Sequence, residues 1–174
     1  MQKKRFNAGV IGLGVGRRHL DVYLKHPAIN KVSACDFNPD KINSLSAHYN
    51  DIKFCNSSNE IIEDPNIDIV SITSYDNYHC EHIIKAIKNN KHIFIEKPIC
   101  ISENELISIF DTYKKNSSTK ISSNFVLRSN PYFEYYKRLI NNNDIGKIYH
   151  LEGEYNYGRI HKITNGWRGD IDNY

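Results

Sequence analysis

Short apolar segments alternate with longer amphipathic segments along most of the chain. The short segments are rich in β-branched residues, as strands are, and cover residues 6–11, 31–36, 52–55, 67–73, 91–96 and 120–127. The longer segments carry apolar residues at helical spacing and cover residues 15–25, 38–49, 57–63 and 102–115. A further helix is predicted to begin at a cap formed by Asp76 or Asn77 and to end at Asn89-Asn90. Because strands that alternate with helices pair in parallel through right-handed crossovers, we predict an α/β fold with a doubly wound parallel sheet.

The pattern changes after Pro131. Apolar residues between positions 133 and 140 have helical spacing, and residues 147–157 alternate in the manner of a β-strand. We therefore predict one domain over residues 1–122, and the first helix and strand of a second domain over residues 123–174.

Composition and charge restrict the class of protein. The chain has 174 residues, of which 40% are hydrophobic and 25% charged, as in soluble globular proteins. Its net charge of +3 is spread along the chain without a basic stripe, so we predict no nucleic-acid partner. No apolar run approaches the roughly 20 residues of a membrane span, and the four cysteines form no CxxC pair. These features predict a cytoplasmic protein with free thiols; disulfides or a metal site are the weaker alternative.

A glycine-rich turn joins the first predicted strand to the first predicted helix. Such a turn lets the backbone approach a pyrophosphate at the helix N-terminus, although it can also be merely structural. A G-x-G-x-x-G motif would have its third glycine at Arg17, so this turn is one residue shorter. Asp36 ends the second strand, where a carboxylate accepts hydrogen bonds from an adenosine ribose and repels a 2′-phosphate. We predict NAD as the cofactor, in preference to NADP, with contacts from Gly12, Gly14, Val15, Gly16 and Asp36.

Two more residues follow predicted strands and could carry chemistry. Lys97, in Glu96-Lys97-Pro98, would be a proton donor or acceptor if burial lowered its pKa; otherwise it is a solvent-facing lysine at a strand end. His79 lies in the first turn of the helix predicted after the fourth strand, and either a ligand role or a plain surface position is compatible with the sequence.

Together these motifs resemble the Gfo/Idh/MocA oxidoreductases, the family of glucose–fructose oxidoreductase and inositol 2-dehydrogenase. Glu-Lys-Pro after a β run is the most specific feature, and the resemblance covers essentially the whole chain. The matching segments occur in the family's order: VIGLGVGRRH at 10–19, CDFNPDK at 35–41, ITSYDNYH at 72–79, HIFIEKPI at 92–99, NFVLRSNPYF at 124–133 and LINNNDIGKIYHLEGEY at 139–155.

The resemblance implies a role for particular residues and a fold for each part. It implies a Rossmann-type first domain and a second domain with a mostly antiparallel sheet. Lys97 would be the catalytic-site lysine, and Glu96 would lie beside the nicotinamide ribose. The remaining cofactor contacts implied are Thr73, Ser74, Asn77 and His79 in the first domain, Arg128 near the cleft, and Trp167 and Arg168 from the second domain.

The function implied by the resemblance is hydride transfer between nicotinamide and a hydroxyl or carbonyl of a sugar, nucleotide sugar or cyclitol. The family's second domain supplies an Asp and a His that complete the catalytic site, and the sequence reaches only Tyr174. We therefore expect a fragment with a nearly complete cofactor site and an incomplete active site, from a full-length homo-oligomer. The alternative is a truncated or non-catalytic NAD-binding module with a regulatory or scaffold role.

Overall fold

The computed structural model of the chain describes residues 5–116 and 118–170. Its strands are β1 (Phe6–Ile11), β2 (Ile29–Cys35), β3 (Ile52–Phe54), β4 (Ile69–Ile72), β5 (His92–Ile95) and β6 (Ile121–Ser123). Its helices are α1 (Gly16–Lys25), α2 (Pro39–Ser46), α3 (Ser58–Ile62), α4 (His79–Lys88), α5 (Glu103–Lys115), α6 (Pro131–Asn141) and α7 (His161–Thr164).

The strands form one sheet in the order β3-β2-β1-β4-β5-β6, and every neighbouring pair is parallel. The predicted doubly wound parallel sheet is therefore confirmed. The order reverses direction between β1 and β4, which are the two central strands. In open sheets of this kind, ligands bind beyond the carboxyl ends of the strands at this reversal.

Both faces of the sheet are buried, so the central strands are apolar at successive positions. Val10 of β1 packs in one core cluster with Leu20 of α1, whereas the next residue, Ile11, packs in the other cluster with Ile83 of α4. Burial on both faces explains why the sequence of β4 is an almost unbroken apolar run. Its one polar residue, Ser71, is nevertheless fully buried.

Side chains cap four of the helices, but α4 begins differently from the prediction. The first turns of α2, α3, α5 and α6 donate hydrogen bonds to the side chains of Asn38, Ser57, Ser102 and Asn130. Residues Asp76–Tyr78 instead form a 3-10 turn that leads directly into α4, and Tyr78 precedes that helix without a capping hydrogen bond. The prediction that Asp76 or Asn77 caps the helix is wrong, because both residues lie inside this turn.

The last predicted strand ends earlier than expected, at Ser123 and not at Leu127. Ser123 pairs with Ile95, the last residue of β5, so no neighbouring strand remains to pair with the residues beyond. The chain turns instead, and Val126–Ser129 form a 3-10 turn before α6.

The described residues divide into two compact units, one ending at Asn124 and the other beginning at Phe125. The described part of the second unit, residues 125–170, contains helices α6 and α7 but no strand. The strand predicted over residues 147–157 is not formed, because a strand needs a hydrogen-bonded neighbour and this unit supplies none. Among the described residues, no helix is both long and apolar enough to cross a membrane.

Candidate cofactor site

The glycine turn after β1 is shaped by two glycines that no other residue could replace without strain. Gly12 has a φ of +91°, and a Cβ on it would lie 2.5 Å from the carbonyl oxygen of Thr73. A Cβ on Gly16 would overlap the side-chain hydroxyl of Thr73. By contrast, a Cβ on Gly14 would meet nothing within 4 Å. The turn therefore leaves open space above Gly14 at the N-terminus of α1, and a pyrophosphate fits such a space.

Thr73 holds this turn in place from the end of β4. Its Oγ1 donates to the carbonyl oxygens of Ile11 at 2.9 Å and Gly12 at 2.5 Å. Its backbone N–H also donates to the Ile11 carbonyl, at 2.8 Å. The structure thus gives Thr73, predicted to contact the cofactor, a supporting contact with the turn. Val15, predicted from the same turn, is partly exposed just before α1.

Asp36 closes the second strand against the same turn. Its Oδ2 accepts from the backbone N–H of Leu13 at 2.7 Å, and its Oδ1 accepts from the N–H of Asn38 at 2.9 Å. The ammonium of Lys41 lies 3.2 Å from Oδ2 and is partly exposed. Position and charge agree with a ribose-binding role, and Lys41, the first basic residue after Asp36, reaches this carboxylate from the first turn of α2.

The loop after β4 carries three further predicted contacts, which the structure separates. Ser74 Oγ lies 3.1 Å from Nδ1 of His82, while Asn77 is exposed in the 3-10 turn. His79 is fully buried, and its Nδ1 and Nε2 lie 2.6 Å and 3.0 Å from the carbonyl oxygens of Pro98 and Ser74. His79 is therefore not a surface histidine, because it is buried with a main-chain carbonyl at each ring nitrogen. Its contact with the cofactor stays a prediction.

Glu96 and Lys97 follow β5 and lie at the carboxyl edge of the sheet. Lys97 is exposed, so the burial that the sequence argument required is not present in this structure. Glu96 Oε1 lies 2.7 Å from Asn124 Nδ2 and 3.3 Å from His19 Nε2. The hydrogen bond from His19, followed by that from Asn124, holds the pKa of the Glu96 carboxyl below its usual value despite partial burial.

Sequence reasoning missed the side chains that surround Glu96. Nothing in the local pattern marks His19 in α1 as a partner of Glu96, and Asn124 directly follows β6. A signal for this cluster was present, because Ser71 is a polar residue inside an apolar buried strand and needs a hydrogen-bond partner there.

Three predicted residues lie in the second unit. Arg128 stacks over the ring of Phe125, with 4.7 Å between the guanidinium carbon and the ring centroid. Trp167 and Arg168 lie in a 3-10 turn, Gly166–Gly169, where Trp167 is half-buried and Arg168 exposed. The cofactor contacts expected of these three residues remain predictions.

The cysteines carry free thiols, and no cluster of metal ligands is found among the described residues. All four cysteines are free; Cys35 and Cys55 are buried, and Cys80 and Cys100 are partly buried. Burial raises the pKa of the Cys35 thiol to about 12. Within residues 5–116 and 118–170, no group of three or more His, Cys, Asp or Glu side chains is placed to hold a metal ion.

Comparison with known proteins identifies the family. The chain is 27% identical to the inositol 2-dehydrogenase/D-chiro-inositol 3-dehydrogenase of Lactiplantibacillus plantarum over 80% of its own length and 41% of the relative's. It is 29% identical to the myo-inositol 2-dehydrogenase of Thermotoga maritima over 80% of its own length and 42% of the relative's. The chain thus spans less than half the length of these relatives.

Solved structures show the same fold. The crystal structure of myo-inositol 2-dehydrogenase from Lactobacillus plantarum matches with a TM-score of 0.76 and 27% identity, over 83% of this chain and 43% of that one. The fold also matches scyllo-inositol dehydrogenase from Lactobacillus casei with bound NAD(H) and scyllo-inositol, at a TM-score of 0.75 and 24% identity, over 83% and 43% of the two chains. Residues 6–125 match the family model described as "Oxidoreductase family, NAD-binding Rossmann fold". The chain therefore belongs to the Gfo/Idh/MocA family of oxidoreductases, whose Rossmann domain binds NAD, as the sequence predicts.

Proposed function

We propose that this chain binds NAD across the carboxyl edge of its sheet and presents Lys97 to a polyhydroxylated substrate. The observation that carries the proposal is the open glycine turn at the N-terminus of α1, with the Asp36 carboxylate beside it. The pyrophosphate would lie over Gly14, and the adenosine ribose would lie at Asp36. The nicotinamide would extend past β4 towards Glu96 and Lys97, because β2 and β5 lie on either side of the central pair β1 and β4 in the strand order.

The proposed reaction interconverts a secondary alcohol and a ketone. Bound NAD supplies the hydride acceptor at nicotinamide C4. Lys97 follows β5 at this edge and is exposed in the chain by itself, so we assign it the proton transfer in the two-domain protein, where substrate and second domain would bury it: it would take the hydroxyl proton on oxidation and return it on reduction. In the family the second domain contributes the partner groups for this proton, so turnover is proposed for a protein that carries both domains.

The proposed substrates are sugars, nucleotide sugars and cyclitols. Inositols are the first compounds to test, because relatives of this chain are inositol dehydrogenases. We further propose a cytoplasmic location, where the four free thiols would stay reduced, and a homo-oligomeric full-length protein.

Cofactor binding is tested by titrating the chain with NADH and following the fluorescence of the reduced nicotinamide. We expect saturable binding with a Kd between about 1 μM and 1 mM, the usual range of enzyme KM values. A titration that shows no saturation at millimolar NADH would remove the proposal.

The catalytic assignment is tested in a protein that joins this chain to a second domain of the family. Lys97→Met is expected to lower kcat with an inositol by about 10²- to 10⁴-fold, the usual contribution of an acid–base group, and to leave the NADH Kd unchanged. Lys88→Met is the matched control, because Lys88 is an exposed lysine at the end of α4. Turnover by the Lys97 variant at the control rate contradicts the assignment, and NADH binding without any turnover supports the non-catalytic alternative.

A further inference from the structure

A chain of four polar side chains runs from the interior of the first unit to Glu96. The hydroxyl of Tyr23 lies 2.7 Å from Ser71 Oγ, which lies 3.2 Å from His19 Nδ1. The other ring nitrogen of His19, Nε2, lies 3.3 Å from Glu96 Oε1. Asn124 Nδ2 approaches the same oxygen from β6, at 2.7 Å. The two side-chain donors thus converge on one of the two carboxylate oxygens.

One arrangement of protons satisfies every contact in this chain. Tyr23 donates to Ser71, Ser71 donates to Nδ1 of His19, and Nε2–H of His19 donates to Glu96. Burial raises the pKa of the Tyr23 phenol, which keeps this first donor protonated. The ring of His19 also packs against Phe94, with 5.4 Å between the ring centroids. The imidazole is therefore held on both nitrogens and on one face.

We propose that His19 is a positioning residue that fixes Glu96, so that Glu96 Oε2 accepts a hydrogen bond from a ligand hydroxyl on the nicotinamide side. The inference rests on the proposed function, because it assumes that NAD lies along this edge of the sheet. Two side-chain donors hold Oε1, and the backbone N–H of Lys97 also donates to the carboxylate. The side chain of Glu96 is 15% exposed, so the carboxylate stays reachable from the edge. Ser71 and Tyr23 act behind His19 and prevent rotation of its ring.

The position of Glu96 in the sheet suggests a test that separates this role from general destabilisation. Asp36 follows β2 and Glu96 follows β5, and β1 and β4 lie between them. With strands about 4.8 Å apart, the two carboxylates lie about 14 Å from each other along the edge. ADP would reach only the Asp36 side, whereas NADH would reach both. A defect in positioning Glu96 should therefore affect NADH and not ADP.

The experiment compares the Kd values of NADH and ADP for the chain and its variants. His19→Phe keeps a ring against Phe94 but removes both hydrogen bonds, and we expect it to raise the NADH Kd about tenfold, the effect of losing a hydrogen bond to a charged group. The ADP Kd should stay within about twofold. His19→Gln retains an amide donor for Glu96 and should recover most of the NADH affinity. His26→Phe, at an exposed histidine that bonds only within its own turn, is the matched control.

Each outcome decides between the proposals. An unchanged NADH Kd in His19→Phe, or equal losses of NADH and ADP affinity, overturns the positioning role. Failure of the unmodified chain to bind NADH overturns the proposed function instead. If His19→Phe does not fold, Ser71→Ala carries the test, because it frees Nδ1 of His19 with little change in volume. It should raise the NADH Kd about threefold and leave the ADP Kd unchanged, and no selective rise contradicts the proposal.

Discussion

Substitution of His79 by alanine distinguishes a structural histidine from a cofactor contact. The ring is fully buried and bridges the carbonyl oxygens of Ser74 and Pro98, so it ties the loop after β4 to the loop after β5. Alanine removes the ring N–H donor, at roughly 1–3 kcal/mol for a buried carbonyl left without its partner, and leaves a cavity where the imidazole was. We therefore expect the free energy of unfolding to fall by about 3 kcal/mol or more, against a total of roughly 5–15 kcal/mol for a typical domain.

The assay is urea denaturation followed by far-ultraviolet circular dichroism. The midpoint should fall at an unchanged m value, and the melting temperature should drop by about 10 °C. His48→Ala is the control, because His48 is exposed just after α2 and its side chain bonds to the carbonyl of Ser44; its effect should stay within about 0.5 kcal/mol. If His79→Ala unfolds within 0.5 kcal/mol of the unmodified chain but binds NADH weakly, the bridging role is refuted and the direct contact predicted from the sequence is favoured.

Four further substitutions test the turn, the ribose site and the response to pH. Gly14→Ala should fold normally but bind NADH at least about tenfold more weakly, because its methyl group would occupy the open space over the turn. Gly12→Ala should lower the free energy of unfolding by at least about 1–2 kcal/mol, because Gly12 has a φ of +91°. Urea denaturation and NADH titration check both, and normal NADH binding by Gly14→Ala would contradict the placement of the pyrophosphate. Asp36→Ala should shift the ratio of NADPH to NADH affinity towards NADPH by about tenfold or more. The substitution removes a negative charge and frees the ammonium of Lys41 for a 2′-phosphate. An unchanged ratio would show that Asp36 does not select the cofactor. Burial lowers the pKa of His82 from 6.5 to about 4, so the unfolded chain binds more protons than the folded chain between these pH values. The stability that depends on a neutral His82 is therefore full above pH 6.5 and is lost as the pH falls towards 4. This loss of stability amounts to about 3 kcal/mol, and His82→Asn should remove that part of the pH dependence in denaturation experiments at pH 4–7. An unchanged dependence of the free energy of unfolding on pH would show that His82 is not its source.

Sequence patterns predicted the fold where burial acts on a whole element. Strand β4 is apolar on both faces because helices cover both faces, and this run identified it as a central parallel strand. Local pattern could not locate the end of β6, since that end depends on where its neighbour β5 stops. It also could not show whether residues 147–157 form a strand, because a strand depends on a partner elsewhere in the chain.

The candidate site was predicted unevenly for a similar reason. Gly12 and Asp36 could be predicted as site residues because a glycine-rich turn and a carboxylate at a strand end are visible in the local sequence. The role of His79 could not be read in this way, because its partners Ser74 and Pro98 lie on two different loops. The contact between His19 and Glu96 joins residues 77 positions apart, and only the sheet brings them together.

The hydroxyl of Thr73 has a consequence for how the cofactor would be received. It bonds to the carbonyls of Ile11 and Gly12, and thereby ties the phosphate-binding turn to the neighbouring strand through contacts of the chain itself. The conformational entropy of this turn is therefore lost when the protein folds and not when the dinucleotide arrives. Preorganisation of this kind favours affinity, because fewer backbone torsions remain to be ordered in the complex. Association with the turn should accordingly proceed in a single step, without a slow rearrangement of the loop.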